Sequence, residues 1–116
     1  CVAYVGTHDN DTALGWMKTA PAEDVAYAKE YLHETEDEAA ARAMLTAIWN
    51  SRANLTIVLA QDLLGLGSES RMNKPSTVGS NWCWRAVEGC FTDALAAKVR
   101  GEMERFGRLD RPDKKV

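Results

Sequence analysis

The chain has 116 residues, 46% hydrophobic and 27% charged, and its 14 Lys and Arg against 17 Asp and Glu leave a net charge of −3. That length suits one domain or a piece of a larger one, and such a chain buries roughly two-thirds of its unfolded surface. The balance excludes the basic footprint of nucleic-acid binding, no apolar run is long enough to span a bilayer, and the start lacks the regions of a secretory signal.

Three cysteines, Cys1, Cys83 and Cys90, are odd in number and fit no metal-ligand spacing. They read as small apolar thiols in a reducing, cytoplasmic compartment. Residue 1 is Cys rather than Met, and the chain opens inside a strand-like run, so a fragment is expected.

Residues 2–5 (Val-Ala-Tyr-Val) are apolar and β-branched at both ends before Gly6, which predicts a buried strand entering a polar loop over residues 6–12. Pro21 followed by Glu23 and Asp24 has the composition of a first helical turn, with acids at the positive end of the dipole. Val25, Ala28, Tyr31 and Leu32 then share one helical face. A second helix is predicted over residues 36–49. It starts acidic, is Ala-rich, and carries Ala41, Met44, Leu45, Ile48 and Trp49 as its apolar stripe. His33 lies among acids on a helix and reads as a surface residue.

Residues 55–60 (Leu-Thr-Ile-Val-Leu-Ala) are nearly continuously apolar, as in a parallel strand covered on both faces. Gln61 and Asp62 follow at its C-terminal end. Residues 65–80 are rich in Gly, Ser, Asn and Pro, and predict a long ordered or ligand-contacting loop. Trp82-Cys83-Trp84-Arg85 is an aromatic anchor. Thr92 and Asp93 open a last helix with Leu95, Val99, Met103 and Phe106 inward; Gly107 ends it, and residues 108–116 read as a frayed tail.

The order strand, helices, strand, loop, helix is a βαβα pattern, which predicts an α/β fold with a parallel sheet and right-handed crossovers. Two parallel strands do not make a stable sheet alone, a second sign of a fragment. Their open edges invite pairing with another chain, as a homo-oligomer or a domain swap, or a rearranged and mainly helical packing.

Ligands of parallel α/β proteins bind at the C-terminal ends of strands, where His8-Asp9 and Gln61-Asp62 both fall. Asp9-Asn10-Asp11 admits three readings. A calcium loop fails downstream, because Ala13, Leu14 and Ala20 occupy the positions of a ligand, the obligatory Gly and the closing Glu, so no metal is expected. Loop and cap residues satisfying backbone N–H groups are the ordinary reading. A His-Asp pair aimed into a cleft is the third, and pattern alone does not raise it above the second.

Residues 4–12 (Tyr-Val-Gly-Thr-His-Asp-Asn-Asp-Thr) resemble the seventh-strand motif of the amylomaltase family, glycoside hydrolase family 77, of bacterial and plant 4-α-glucanotransferases. Residues 48–51 (Ile-Trp-Asn-Ser), 61–67 (Gln-Asp-Leu-Leu-Gly-Leu-Gly), 71–73 (Arg-Met-Asn) and 81–85 (Asn-Trp-Cys-Trp-Arg) resemble later family blocks in the right order. The resemblance implies an eight-stranded (β/α) TIM barrel, with residues 1–116 as the C-terminal fragment of the catalytic barrel, its last two βα units, helix-rich when isolated. It also implies transfer of α-1,4-glucan segments with retention, which uses a nucleophile and an acid/base about 5–5.5 Å apart. In the family those two carboxylates lie on earlier strands.

A third family carboxylate, which grips sugar hydroxyls and favours the distorted ring, corresponds to Asp9. His8 corresponds to a histidine at the same subsite, and Asn73 to a sugar-contacting position in the long loop. No cofactor is implied. The partners implied are α-1,4-glucans, or maltooligosaccharides, and the N-terminal portion of the barrel; the fragment alone is expected to be inactive. Asp62 either caps the turn into Leu63-Leu64 or faces the cleft, and Gln61 has no assigned role. Trp82 and Trp84 suit core packing under the last helix better than stacking on sugar rings, and Trp16 is ambiguous. Two other readings are a small carbohydrate-binding module using Trp82, Trp84 and Asn73, and a structural or interaction domain.

Overall fold

A computed structural model describes residues 1–79 and 81–109, which fall into two compact units, Cys1–Arg85 and a shorter one from Ala86 onward. Ser80, at the end of the expected loop, and residues 110–116 of the expected frayed tail lie outside the described residues.

The first unit runs β1 (Val2–Tyr4), α1 (Ala13–Thr19), α2 (Ala22–Leu32), α3 (Asp37–Trp49), β2 (Leu55–Ile57) and a one-turn helix α4 (Ala60–Leu63), followed by a 3-10 turn at Ser68–Ser70. The strands pair in parallel, with Val2 opposite Leu55, Ala3 opposite Thr56 and Tyr4 opposite Ile57. The expected parallel α/β pattern is therefore present, in a helix-rich chain.

Helices α2 and α3 lie where their sequence signals place them. Pro21 fixes the backbone ahead of α2 and its carbonyl accepts from the amides of Asp24 and Val25 at 3.0 and 3.1 Å. Glu23 and Asp24 occupy the first turn of α2, and Asp37 and Glu38 that of α3. His33 is exposed as expected, but it lies beyond the helix in its left-handed cap at φ 58°. Asp37 ties three helices together. Its carboxylate lies 2.6 Å from Lys29 Nζ of α2 and 3.6 Å from Lys18 Nζ of α1.

The core lies between α1, α2 and α3: Ala13, Leu14 and Met17 pack with Val25, Ala40 and Ala41, and Trp16 and Met44 flank them. Small residues at 13, 40 and 41 let the helices approach closely, and Leu45 is wholly buried on α3.

One element was not anticipated, and two expectations need correction. Helix α1 carries no strong sequence signal: it is short, contains Gly15, and lacks an acid in its first turn. Strand β2 ends at Ile57, and Ala60 already opens α4. The expected burial of the first strand, and of the second on both faces, is also absent, since Val2, Tyr4, Leu55 and Ile57 are each about half exposed. Register explains this: the four side chains share one face, while Ala3, Thr56 and Val5 point toward the helices.

In the second unit, α5 (Asp93–Arg105) begins as expected, with Thr92 Oγ1 accepting from the Leu95 amide at 3.1 Å. Leu95, Val99, Met103 and Phe106 are half-buried, and no residue of the helix is fully buried. Gly107 ends it at φ 69°, where the amide of Arg108 reaches back to Met103 O at 2.7 Å. Among the described residues no helix is long and apolar enough to cross a membrane.

Candidate functional site

The loop after β1 is a self-bonded turn. The Asn10 amide donates to Thr7 O at 3.0 Å, while Asn10 Oδ1 accepts from the Thr7 amide at 2.8 Å and from Thr7 Oγ1 at 3.1 Å. Asp11 is equally committed, accepting from the Thr12 amide at 2.8 Å and from Ser68 Oγ at 2.7 Å. The cap-and-turn reading of this acidic segment therefore holds for Asn10 and Asp11. It does not hold for Asp9.

Asp9 projects from the turn with its side chain 48% exposed. Its Oδ1 accepts from Asn73 Nδ2 at 2.6 Å, across 64 residues of sequence, and lies 3.4 Å from His8 Nε2. The histidine distance is a charge contact at most, longer than a good hydrogen bond. The Asn73 amide donates in turn to His8 O at 3.1 Å. All three residues singled out for sugar recognition thus converge on one exposed surface.

Two further residues belong to the cluster. Arg71 donates from Nη2 to Asp9 O at 2.7 Å and from Nε to Asn73 O at 2.9 Å, so its guanidinium bridges the two loops. Trp82 sets its ring 4.9 Å from that of His8, at 42° between planes, while its amide donates to Met72 O at 2.6 Å. Its backbone is left-handed, at φ 64°. The expected packing of Trp82 in a core is corrected here: the ring is half exposed and lies against His8. Trp84 is half-buried. Periodicity offered no signal for Arg71 or Trp82, because both lie in irregular backbone where only tertiary contacts fix a side chain.

Gln61 and Asp62 point inward and are buried. Gln61 Nε2 donates to Ser70 O at 3.2 Å, and Asp62 Oδ1 accepts from the Ala13 amide at 2.8 Å. Asp62 therefore caps neither its own turn nor a cleft; it caps α1. Burial pushes its carboxyl above the usual value, the Ala13 bond opposes that rise, and the nearby charge of Asp11 adds to it.

Behind His8 lies a cavity of about 70 Å³ lined by residues such as Thr7, Leu59, Gln61 and Arg71. That is far below the roughly 300 Å³ of a small-ligand pocket, and the polar groups around Asp9 lie on an open surface instead. An ionised Asp accepts only, an amide both donates and accepts, and an imidazole does either, a set suited to a hydroxyl-rich ligand. Among the described residues no group of three or more His, Cys, Asp or Glu is placed to hold a metal.

Fold and site together define a class: a parallel βαβ segment that gathers polar side chains beyond the C-terminal end of its first strand, where α/β proteins bind ligands. The sequence pattern of the 4-alpha-glucanotransferase family matches residues 1–89, and the chain belongs to that family. It is 46% identical over 111 residues to the 4-alpha-glucanotransferase of Clostridium butyricum, covering 95% of this chain and 23% of that protein. To the chloroplastic/amyloplastic 4-alpha-glucanotransferase of Solanum tuberosum it is 42% identical over 111 residues, covering 93% and 19%. Amylomaltase from Streptococcus agalactiae, solved in complex with acarbose, matches with a TM-score of 0.85 at 34% identity, over 94% of this chain and 22% of that one. The chain thus spans between 19% and 23% of the length of these relatives.

Proposed function

We propose that the chain is the C-terminal part of a (β/α)8 catalytic barrel, its last two βα units, in a protein that transfers α-1,4-glucan segments with retention of configuration. The family match and the likeness to amylomaltase support the barrel and the transfer, and the observation that carries the site is the 2.6 Å bond from Asn73 Nδ2 to Asp9 Oδ1. It holds a half-exposed carboxylate in one orientation and leaves Oδ2 without a protein donor among the described residues. That oxygen can accept from a sugar hydroxyl, and a charge-assisted bond that shortens as the ring distorts lowers the barrier rather than merely aiding binding.

In this reading Asp9 stabilises the transition state, and His8 and Asn73 hold the sugar. The nucleophile and acid/base come from outside the chain. Within it, Asp11 and Asp62, the carboxylates beside the site loop, are already bonded to Ser68 and Ala13. The 116-residue chain alone is then inactive, and detectable disproportionation of maltotriose by it would reject this part of the proposal. The half-exposed Val2, Tyr4, Leu55 and Ile57 form the face that the remaining barrel, or a second copy, would cover. Light scattering of the isolated chain is expected to show association. The free thiols of Cys1, Cys83 and Cys90 support a reducing, cytoplasmic setting.

The deciding experiment compares maltotriose disproportionation by the full-length protein with that of its Asp9→Asn variant, which keeps size and removes charge. The expected fall is about a thousandfold with folding unchanged. Near-normal activity would return His8-Asp9 to the role of a loop turn.

A further inference from the structure

We infer that Arg71 is a positioning residue that sets the distance between Asp9 and Asn73 by gripping the backbone of both. The inference rests on the reading of Asp9 as the carboxylate that meets the sugar. The Asn73 loop is long and poor in regular structure, apart from the turn at Ser68–Ser70. Chain composition of that kind leaves a loop tip free to wander unless something fixes it. Here Arg71 Nη2 donates to Asp9 O at 2.7 Å and Arg71 Nε to Asn73 O at 2.9 Å, so one rigid planar group spans two loops 62 residues apart. The Asn73 amide closes the circuit on His8 O at 3.1 Å. Within that frame Asn73 Nδ2 reaches Asp9 Oδ1 at 2.6 Å.

What Arg71 does not bond is as informative as what it does. Its two described bonds go to carbonyl oxygens rather than to the adjacent carboxylate. Asp9 is thereby oriented without its charge being consumed by a bidentate ion pair, the geometry Arg and carboxylates otherwise favour. A lysine ammonium has three rotatable donors on a flexible stem and no rigid planar fork, so it holds the separation of the two carbonyls less firmly.

The test uses the full-length protein and four variants: Arg71→Met, Arg71→Lys, Asp9→Asn and the double variant Asp9→Asn with Arg71→Met. A misplaced transition-state contact costs on the order of 100-fold, so Arg71→Met is expected to lose about that in kcat with KM little changed. Arg71→Lys, which preserves charge and folding, is expected to lose about tenfold, an intermediate value for a looser hold on the two carbonyls. Because Arg71 acts through Asp9, adding Arg71→Met to Asp9→Asn is expected to cost less than about threefold more.

A role in folding alone would lower the melting temperature and give the same fold-loss in both backgrounds, which overturns the inference. Wild-type kcat in folded Arg71→Met or in Arg71→Lys also overturns it. If Asp9→Asn is slow while Arg71→Met is not, only this inference fails. If Asp9→Asn keeps wild-type turnover, the reading of the site fails first.

Discussion

The carboxylate of Asp62 accepts a hydrogen bond from the amide of Ala13 at 2.8 Å, capping a helix that starts 49 residues earlier. Thr12 Oγ1 caps the same turn by accepting from the Gly15 amide at 3.0 Å. Two donors that a helix start leaves unpaired are thus satisfied, one locally and one from the chain beyond β2. The site loop sits directly between β1 and this doubly capped turn, so its far end is fixed in place.

Replacing Asp62 with Ala leaves the buried Ala13 amide without its acceptor, and is expected to lower stability by about 1–3 kcal/mol in urea titrations. Asp62→Asn retains an acceptor and is expected to cost less than Asp62→Ala. Equal losses in the two variants would mean that a neutral amide oxygen does not replace the carboxylate at the Ala13 amide, and would exclude side-chain volume as the cause.

Asp62 and Asp37 make opposite contributions to the pH dependence of stability. Burial raises the Asp62 carboxyl above its reference value of 3.8, so the folded chain holds that proton more tightly than the unfolded one. Its contribution favours folding below that value and is lost as pH rises through the higher folded one. Melting temperatures of Asp62→Asn are therefore expected to improve relative to wild type between strongly acidic and neutral pH. The Lys29 hydrogen bond lowers the Asp37 carboxyl, with help from the charges of Lys29 and Lys18. Its stabilisation is present above 3.8 and lost as pH falls through the lower folded value. Asp37→Asn is expected to melt below wild type at neutral pH and to match it in strong acid.

Gly15→Ala sets two effects against each other. Alanine gains about 1 kcal/mol over glycine in a helix interior. Its Cβ, however, would collide with both Asp11 Oδ1 and Ser68 Oγ, which are themselves held by a 2.7 Å bond between Ser68 Oγ and Asp11 Oδ2. Overpacking of this kind costs about 1–3 kcal/mol, so the variant is expected to be net destabilised in thermal melts. A stabilised Gly15→Ala would show that the Asp11–Ser68 contact is slack.

Substitutions at Asn73 separate geometry from charge. Asn73→Ala removes the donor to Asp9 and is expected to lower glucan transfer by the full-length protein about 10–100-fold. Asn73→Asp sets a second carboxylate against the first, and like charges that close push a proton onto one of them. With that proton on the introduced side chain it can still donate to ionised Asp9, so activity is expected to persist only toward acid pH, and an unshifted profile would separate Asn73 from Asp9.

Much of this was legible in the chain itself. Helices α2 and α3 follow from Pro21, from the acids at residues 23, 24, 37 and 38, and from apolar residues at helical spacing, all local signals. Parallel pairing followed from element order, and family membership from motifs in series. His8, Asp9 and Asn73 could be named because residue type and motif position carry over from the family pattern.

Other features depended on contacts between distant residues. Thr12 is a local start signal for α1, but the helix is short, holds Gly15 and takes its other cap from Asp62. Trp82 could be read as core until its ring was set against His8, and Arg71 had no assigned role until both of its carbonyl partners were in place. The sequence by itself determined the periodic elements, their parallel order and the family, since those rest on short-range backbone preferences and ordered motifs. Only the tertiary structure decided which donors each acid meets and that the Asp9 carboxylate stays half exposed. Asp9, Asp11 and Asp62 are chemically the same carboxylate, and they differ in the donors that folding brings to each.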